Sequence, residues 1–193
     1  MLRRLYDWTM GLAAHRHALA LLALVAFIES SIFPIPPDVL LVPMVLAARA
    51  RAWRIALVCT VASVLGGLAG YGIGYFVFET VGRPLLEFYG GGDAFASFRD
   101  AYNAWGLWIV FTAGLTPLPY KVFTIASGVT HLDLTIFVLG SVLSRGLRFY
   151  AVAALLWRFG TPLRAFVENH LGKVTAAFAL LLVGGFALIR LLR

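Results

Sequence analysis

The chain has 193 residues, of which 61% are hydrophobic and 13% charged, and its mean hydropathy is +0.89. Apolar runs of about 20 residues with few charges are typical of membrane helices and exclude an ordinary soluble domain. The formal net charge of +7 falls mostly at the ends of these runs, where basic residues set topology and contact lipid headgroups, so nucleic-acid binding explains it poorly. The single cysteine, Cys59, excludes an intrachain disulfide. The composition and the apolar runs therefore predict an all-α polytopic membrane protein.

The first 17 residues predict a helix that lies in the membrane interface. Aromatic and apolar side chains there are interspersed with Arg3, Arg4 and Asp7, which is typical of interfacial helices. The start of the chain resembles a signal peptide, but no small-residue cleavage site precedes Glu29, so we expect the segment to be retained.

A re-entrant hairpin is predicted for residues 18–48. Ala18–Phe33 would form a helix of about 24 Å, which is shorter than the roughly 30 Å hydrocarbon core. Three prolines that cannot continue a helix follow it: Pro34, Pro36 and Pro37. Glu29 and Asp38 stand where a plain spanning helix has apolar residues. A continuous kinked span is the alternative, but both flanks are arginine-rich and positive flanks prefer the same side of the membrane.

Residues 55–78 predict a full transmembrane span with a stripe of small residues for close helix packing. Its glycines recur every four residues: Gly66, Gly70 and Gly74. Residues 79–105 form a polar and interfacial loop, in which Asp93 follows three glycines and is predicted to cap a second interfacial helix. The aromatic residues of that helix share one face: Phe95, Phe98, Tyr102 and Trp105.

The second half of the chain repeats the arrangement of the first. Residues 106–130 predict a second re-entrant hairpin, broken at Pro117 and Pro119, and residues 134–157 predict a span that carries Arg145 and Arg148. A last span is predicted at 174–190.

The two proline clusters match in register, because Pro34-x-Pro36-x-Asp38 corresponds to Pro117-x-Pro119-x-Lys121. Two broken segments in corresponding positions are typical of inverted-repeat transporters. The basic residues of the loops put the N-terminus in the cytoplasm and make the two hairpins enter from opposite sides. This topology places Arg190 and Arg193 on the outer side of the membrane, although basic residues prefer the cytoplasmic side. The orientation of the last span therefore stays open.

The Glu…Pro-x-Pro-Pro-Asp hairpin and the sequence Thr-Pro-Leu-Pro-Tyr-Lys-Val-Phe-Thr-Ile-Ala-Ser-Gly resemble the DedA family of SNARE-associated or VTT-domain proteins, in particular its YqaA-like members. The resemblance covers roughly residues 20–160. It implies a bacterial inner-membrane protein that moves lipids between leaflets as a flippase or scramblase, and it maps the family's acidic pair onto Glu29 and Asp38. Many members carry two arginines around the second hairpin proline, where this chain has Gly114, Tyr120 and Lys121.

Five ionisable side chains fall inside the predicted membrane segments: Glu29, Asp38, Lys121, Arg145 and Arg148. Each costs about 2.5–3.5 kcal/mol at the bilayer centre on insertion scales, so we expect them to pair or to line a wet cavity. Two acids against three bases leave one positive charge. We expect Lys121, Arg145 and Arg148 to bind a lipid phosphate. Glu29 or Asp38 would pair with the arginines when no substrate is bound and take up a proton during transport, because desolvated carboxylates bind protons more readily.

Other interpretations remain open at this stage. The charges in the membrane segments are also consistent with salt bridges that only hold the hairpins in place. Arg148 is also consistent with a side chain that extends to the lipid headgroups without binding substrate. Transport of a small solute is the closest rival function, followed by a non-transport assembly factor. An enzyme is not expected, because the chain has no HExxH, GxSxG or P-loop motif and no clustered His or Cys. The expected partners are membrane lipids with a phosphate-bearing headgroup; protons and a second copy of the chain are left open, and no cofactor, metal or nucleic acid is expected.

Overall fold

A computed structural model describes residues 17–33, 36–89, 92–116 and 118–160, and every regular element in these ranges is helical. The helices are α1 Ala18–Ser31, α2 Asp38–Ala47, α3 Ala52–Val77, α4 Arg83–Tyr89, α5 Gly92–Ala104, α6 Gly106–Leu115, α7 Tyr120–Val129 and α8 Leu134–Gly160. The prediction of an all-helical chain is confirmed for these ranges. Residues 1–16 of the predicted interfacial helix and the predicted span at 174–190 lie outside the described residues.

Within the described ranges, two helices are long and apolar enough to cross a membrane. One runs continuously from Arg49 to Phe88, because a short 3₁₀ turn leads into α3 and a π-helical turn at Phe78–Gly82 joins α3 to α4. The other is α8. The predicted spans at 55–78 and 134–157 lie within these two helices. The first helix continues past residue 78 because the π-helical turn keeps the chain helical into a segment that the composition predicts as loop.

Both helices that precede the proline clusters end before the prolines, and α1 ends at Ser31 rather than at the predicted Phe33. Helix α1 stops at Ser31, whose hydroxyl donates back to the carbonyl oxygens of Phe27 and Ile28. Helix α6 stops at Leu115, and the Thr116 hydroxyl likewise donates to a carbonyl of the preceding turn. These hydroxyls share carbonyl oxygens that also accept backbone N–H groups, since Ile32 donates to Ile28 and Thr116 donates to Thr112, as Ser and Thr side chains commonly do in helices. We call α1 with α2 broken segment 1, and α6 with α7 broken segment 2.

Helix α3 is the central element, because α1 and α7 both pack along it. A side chain at Gly66 would meet the backbone carbonyl of Phe27 in α1, and a side chain at Gly74 would meet the backbone carbonyl of Ile125 in α7. Gly70 lies between them, against the Thr124 side chain. The glycine stripe therefore lets the backbones of both broken segments approach one helix, as small residues do in membrane helix packing.

Helix α5 lies against broken segment 2. The Tyr102 hydroxyl donates to the carbonyl oxygen of Phe123, at 3.2 Å, and lies 3.1 Å from the Ser127 hydroxyl. Burial raises the pKa of the Tyr102 phenol above its usual value, so the group stays protonated. The prediction of Asp93 as an N-cap is wrong: α5 already begins at Gly92, which places Asp93 in the first turn.

Candidate functional site

The five predicted charges come from four helices that meet where the broken segments are interrupted. Glu29 lies in the last turn of α1, Asp38 begins α2, and Lys121 is the second residue of α7. Arg145 and Arg148 both lie in α8. The breaks therefore place two acids and one base beside the two arginines of a long helix.

The pair between Arg145 and Glu29 is the more buried of the two ion pairs. Arg145 Nη2 donates to Glu29 Oε2 at 2.6 Å, and only 2% of the arginine side chain and 17% of the glutamate side chain are exposed. A short charge-assisted hydrogen bond of this kind offsets part of the cost of burying both ions. The pair joins α8 to broken segment 1.

Two serines extend this pair into a network. Arg145 Nε donates to Ser63 Oγ at 2.6 Å, the hydroxyls of Ser63 and Ser30 lie 2.7 Å apart, and Ser30 Oγ donates to Glu29 Oε2 at 3.1 Å. The chain from arginine to carboxylate is complete if each hydroxyl accepts one hydrogen bond and donates the next. Ser63 lies one turn before Gly66 and extends the stripe of small residues. That position is the sequence signal that could have identified Ser63 as a residue of the site.

The pair between Arg148 and Asp38 is more open. Arg148 Nη2 donates to Asp38 Oδ2 at 2.9 Å, with 25% of the arginine side chain and 30% of the aspartate side chain exposed. Arg148 Nη1 also donates to the carbonyl oxygen of Thr116 at 3.3 Å, at the end of α6. One guanidinium group thus contacts both broken segments. Asp38 also lies in the first turn of α2, where the helix dipole favours a negative charge.

Lys121 has a backbone partner rather than an acidic one. Its Nζ donates to the carbonyl oxygen of Ile32 at 3.1 Å, which is the residue that follows α1. None of the ion pairs within the described part of the chain includes Lys121. The two acids at the breaks are each paired with an arginine, so the lysine supplies a positive charge that forms no ion pair with a carboxylate of the described ranges.

Tyr120 packs its ring against the Arg145 guanidinium. The guanidinium carbon lies 4.7 Å from the centroid of the Tyr120 ring and 4.9 Å from that of Phe149, which is cation–π geometry. The Tyr120 hydroxyl donates to Ser141 Oγ at 2.5 Å, and a side chain at Gly67 would press on the same hydroxyl. The sequence marks Tyr120 only as a departure from the DedA pattern, so its role under the arginine is a finding of the structure.

Comparison with known proteins identifies relatives of the chain. A protein of Haemophilus influenzae described as uncharacterized is 39% identical over 168 residues, which span 85% of this chain and 87% of that protein. An uncharacterized protein of Histophilus somni is 39% identical over the same length and the same shares. The chain belongs to the family of these two proteins. No family model matches the chain, and no solved structure matches it.

The remaining polar residues of this family member mainly bind backbone. Thr124 Oγ1 donates to the carbonyl oxygens of Lys121 and Ser30, at 2.9 and 3.2 Å, and Ser127 donates to the Phe123 carbonyl. His131 lies away from the breaks, stacked on Tyr75 and 3.0 Å from a carboxylate oxygen of Glu79. No group of three or more His, Cys, Asp or Glu side chains lies close enough to hold a metal in the ranges that the structure describes.

We expect Tyr120→Leu to destabilise the protein by about 2 kcal/mol or more, because it removes a buried aromatic ring and the cation–π contact with Arg145. Tyr120→Phe should cost only about 1 kcal/mol, since it keeps the ring and loses one hydrogen bond, and Ser141 still donates to the Phe137 carbonyl. Thermal unfolding of the purified protein in detergent measures both. Equal destabilisation by the two variants would show that the hydroxyl, rather than the ring, supports Arg145.

Proposed function

We propose that this protein is a polytopic membrane protein in which both broken segments are re-entrant hairpins, and that it moves a phosphate-bearing lipid between the two leaflets. Three of the four helices in these segments, α1, α2 and α6, are apolar but too short to span a bilayer. Each pair is interrupted by prolines, and non-helical backbone at membrane depth is tolerated where protein or a wet cavity surrounds it. Inverted broken segments that meet at mid-membrane are how many transporters build a substrate site.

The observation that carries this proposal is the charge arrangement at the breaks. Two acids are each paired with an arginine, and Lys121 adds a positive charge whose hydrogen-bond acceptor among the described residues is the Ile32 carbonyl. Ionisable groups at membrane depth are costly, and the usual reason to keep them is a substrate or proton pathway. A surplus cation favours an anionic ligand. Lys121 also lies in the first turn of α7, whose helix dipole is positive at that end.

We propose the DedA family as the wider family. The support is the pair of matched proline motifs, together with the position of the residues that depart from the pattern. A side chain at Gly114 would meet Ser144 and approach Arg145, and Tyr120 stacks on Arg145. The space beside the second hairpin break is therefore filled by the α8 arginine in this chain, which is consistent with Arg145 taking over the role of a hairpin arginine.

Asp38 is the more exposed of the two carboxylates at the breaks. Its pair with Arg148 is more exposed than the pair between Glu29 and Arg145. Arg148 also holds the end of α6 through Thr116, so release of Asp38 would loosen both broken segments together. A proton on Asp38 removes the charge that holds Arg148, which is a route for proton coupling.

Lipid transfer in proteoliposomes tests the proposal. We expect Lys121→Gln to lower the rate of labelled phospholipid transfer between leaflets by roughly tenfold or more, because the surplus charge is lost, and Lys121→Arg to retain most of the rate. Arg99→Gln is the matched control: it removes one positive charge from an exposed pair with Asp100, and transfer should be unchanged. Wild-type protein that transfers no lipid but takes up a solute would favour the small-solute alternative.

A further inference from the structure

We propose that the site selects lipids whose phosphate carries a single negative charge, so that it prefers phosphodiester headgroups to phosphomonoester headgroups. This inference rests on the proposed function, which by itself admits both phospholipids and polyprenyl phosphates. The two classes differ in charge. A phosphodiester carries one negative charge at neutral pH, whereas a phosphomonoester carries about −1.5 to −2 because its second pKa lies near 6.

Among the residues that the structure describes, the balance of charge at the breaks is plus one. Arg145 is neutralised by Glu29 and Arg148 by Asp38, which leaves Lys121. The other ion pairs in the described ranges join residues away from the breaks: Glu79 with Arg83 and His131, and Arg99 with Asp100. A phosphodiester at Lys121 would make the site neutral. A dianionic monoester would leave one negative charge without a partner at membrane depth, where uncompensated charge is costly.

The donors at the site favour the same class of ligand. The Arg145 guanidinium already donates to two serines and Glu29, and Arg148 to Asp38 and a backbone carbonyl. Lys121 has three N–H donors and uses one on Ile32. Its other two match the two unesterified oxygens of a phosphodiester. A second negative charge would have to draw an arginine away from its acid. Breaking a buried ion pair is costly, because the acid then keeps a buried charge without a partner.

Two lipids with identical acyl chains provide the test: phosphatidic acid, a monoester, and phosphatidylmethanol, its methyl diester. The probes differ by one methyl group and one ionisation. In proteoliposomes at about pH 7.5, we expect the wild-type protein to transfer the diester roughly tenfold faster than the monoester. At about pH 5.5 the monoester has gained a proton, and the ratio should fall to within about threefold. The diester, measured at both pH values, corrects for any change at Glu29 or Asp38.

A charge variant gives a second readout. Asp38→Asn keeps the size of the side chain and raises the balance at the breaks to plus two, so it should shift the preference toward the monoester by about tenfold at the higher pH. Asp133→Asn is the matched control, since Asp133 accepts the N–H groups of Thr135 and Ile136 at the start of α8, and it should leave the ratio unchanged. If Asp38→Asn does not fold, the wild-type pH series still decides.

The outcomes separate the two proposals. Equal rates for the two lipids at the higher pH, or a faster monoester, would overturn the charge selectivity and leave lipid transfer standing. Transfer of neither lipid would refute the proposed function, and the selectivity with it. A preference for the diester that does not change between the two pH values would show that the methyl group, rather than the charge, is recognised, which also overturns the inference.

Discussion

Arg145→Met should abolish lipid transfer and lower the free energy of unfolding by about 3 kcal/mol or more. The substitution leaves Glu29 in a mostly buried position without its cation, and removing one partner of a buried ion pair typically costs about 3–5 kcal/mol. It also removes the donor to Ser63 and the contacts with the Tyr120 and Phe149 rings. Thermal unfolding in detergent measures the first effect, and transfer in proteoliposomes measures the second.

A double substitution separates structural pairing from transport. Glu29→Gln combined with Arg145→Met removes both charges while keeping the approximate volumes, and neutral replacement of a buried pair is often tolerated. We expect the double variant to regain most of the lost stability but none of the transfer activity. Recovery of both would show that the pair only holds α8 to broken segment 1 and takes no part in lipid transfer.

The more open pair offers a comparison within the same helix. Arg148→Met should cost only about 1 kcal/mol in stability, because Arg148 and Asp38 are each at least a quarter exposed and water screens the unpaired charge. Its effect on transfer should nevertheless be large, since Arg148 contacts both broken segments. A variant that is stable yet inactive would support the proposal that the pair between Arg148 and Asp38 separates during transport.

The sequence predicts which residues are unusual better than it predicts how they pair. Charges at membrane depth stand out in a single sequence because burial is costly, and prolines locate the breaks because they end helices. The partners do not follow from the sequence. Arg145 and Arg148 are three residues apart and share a helix face, so both could reach one acid. In the fold, Glu29 lies in the last turn of α1 and Asp38 begins α2, and each arginine pairs with a different one of these acids.

Residues that act through shape are the ones that sequence reasoning misses. Tyr120 packs against Arg145, a role that its position directly after Pro119 does not indicate. Its contact requires a recess at Gly67 and an acceptor at Ser141, which lie on two other helices. No local pattern brings these three helices together. The π-helical turn after α3 was missed for a related reason, because composition alone does not show that a polar segment stays helical.

Substitution by alanine should affect stability very differently at different glycines of α3. We expect Gly66→Ala and Gly74→Ala each to lower the free energy of unfolding by about 2–3 kcal/mol. The added methyl groups would collide with backbone carbonyls, of Phe27 and Ile125 respectively, and backbone cannot rotate away as a side chain can. Thermal unfolding in detergent should show a clear fall for both variants.

Gly72→Ala is the matched control, because a side chain at Gly72 meets nothing within 4 Å. Alanine favours a helix over glycine by up to about 1 kcal/mol, so this variant should be as stable as the wild type or slightly more stable. The contrast isolates close packing from helix propensity, since all three substitutions add one methyl group to one helix. If Gly66→Ala were as stable as Gly72→Ala, α1 would not lie against α3 at this distance. Glu29 would then lose the geometry that brings it to Arg145, and the charge arrangement at the breaks would no longer support a substrate site.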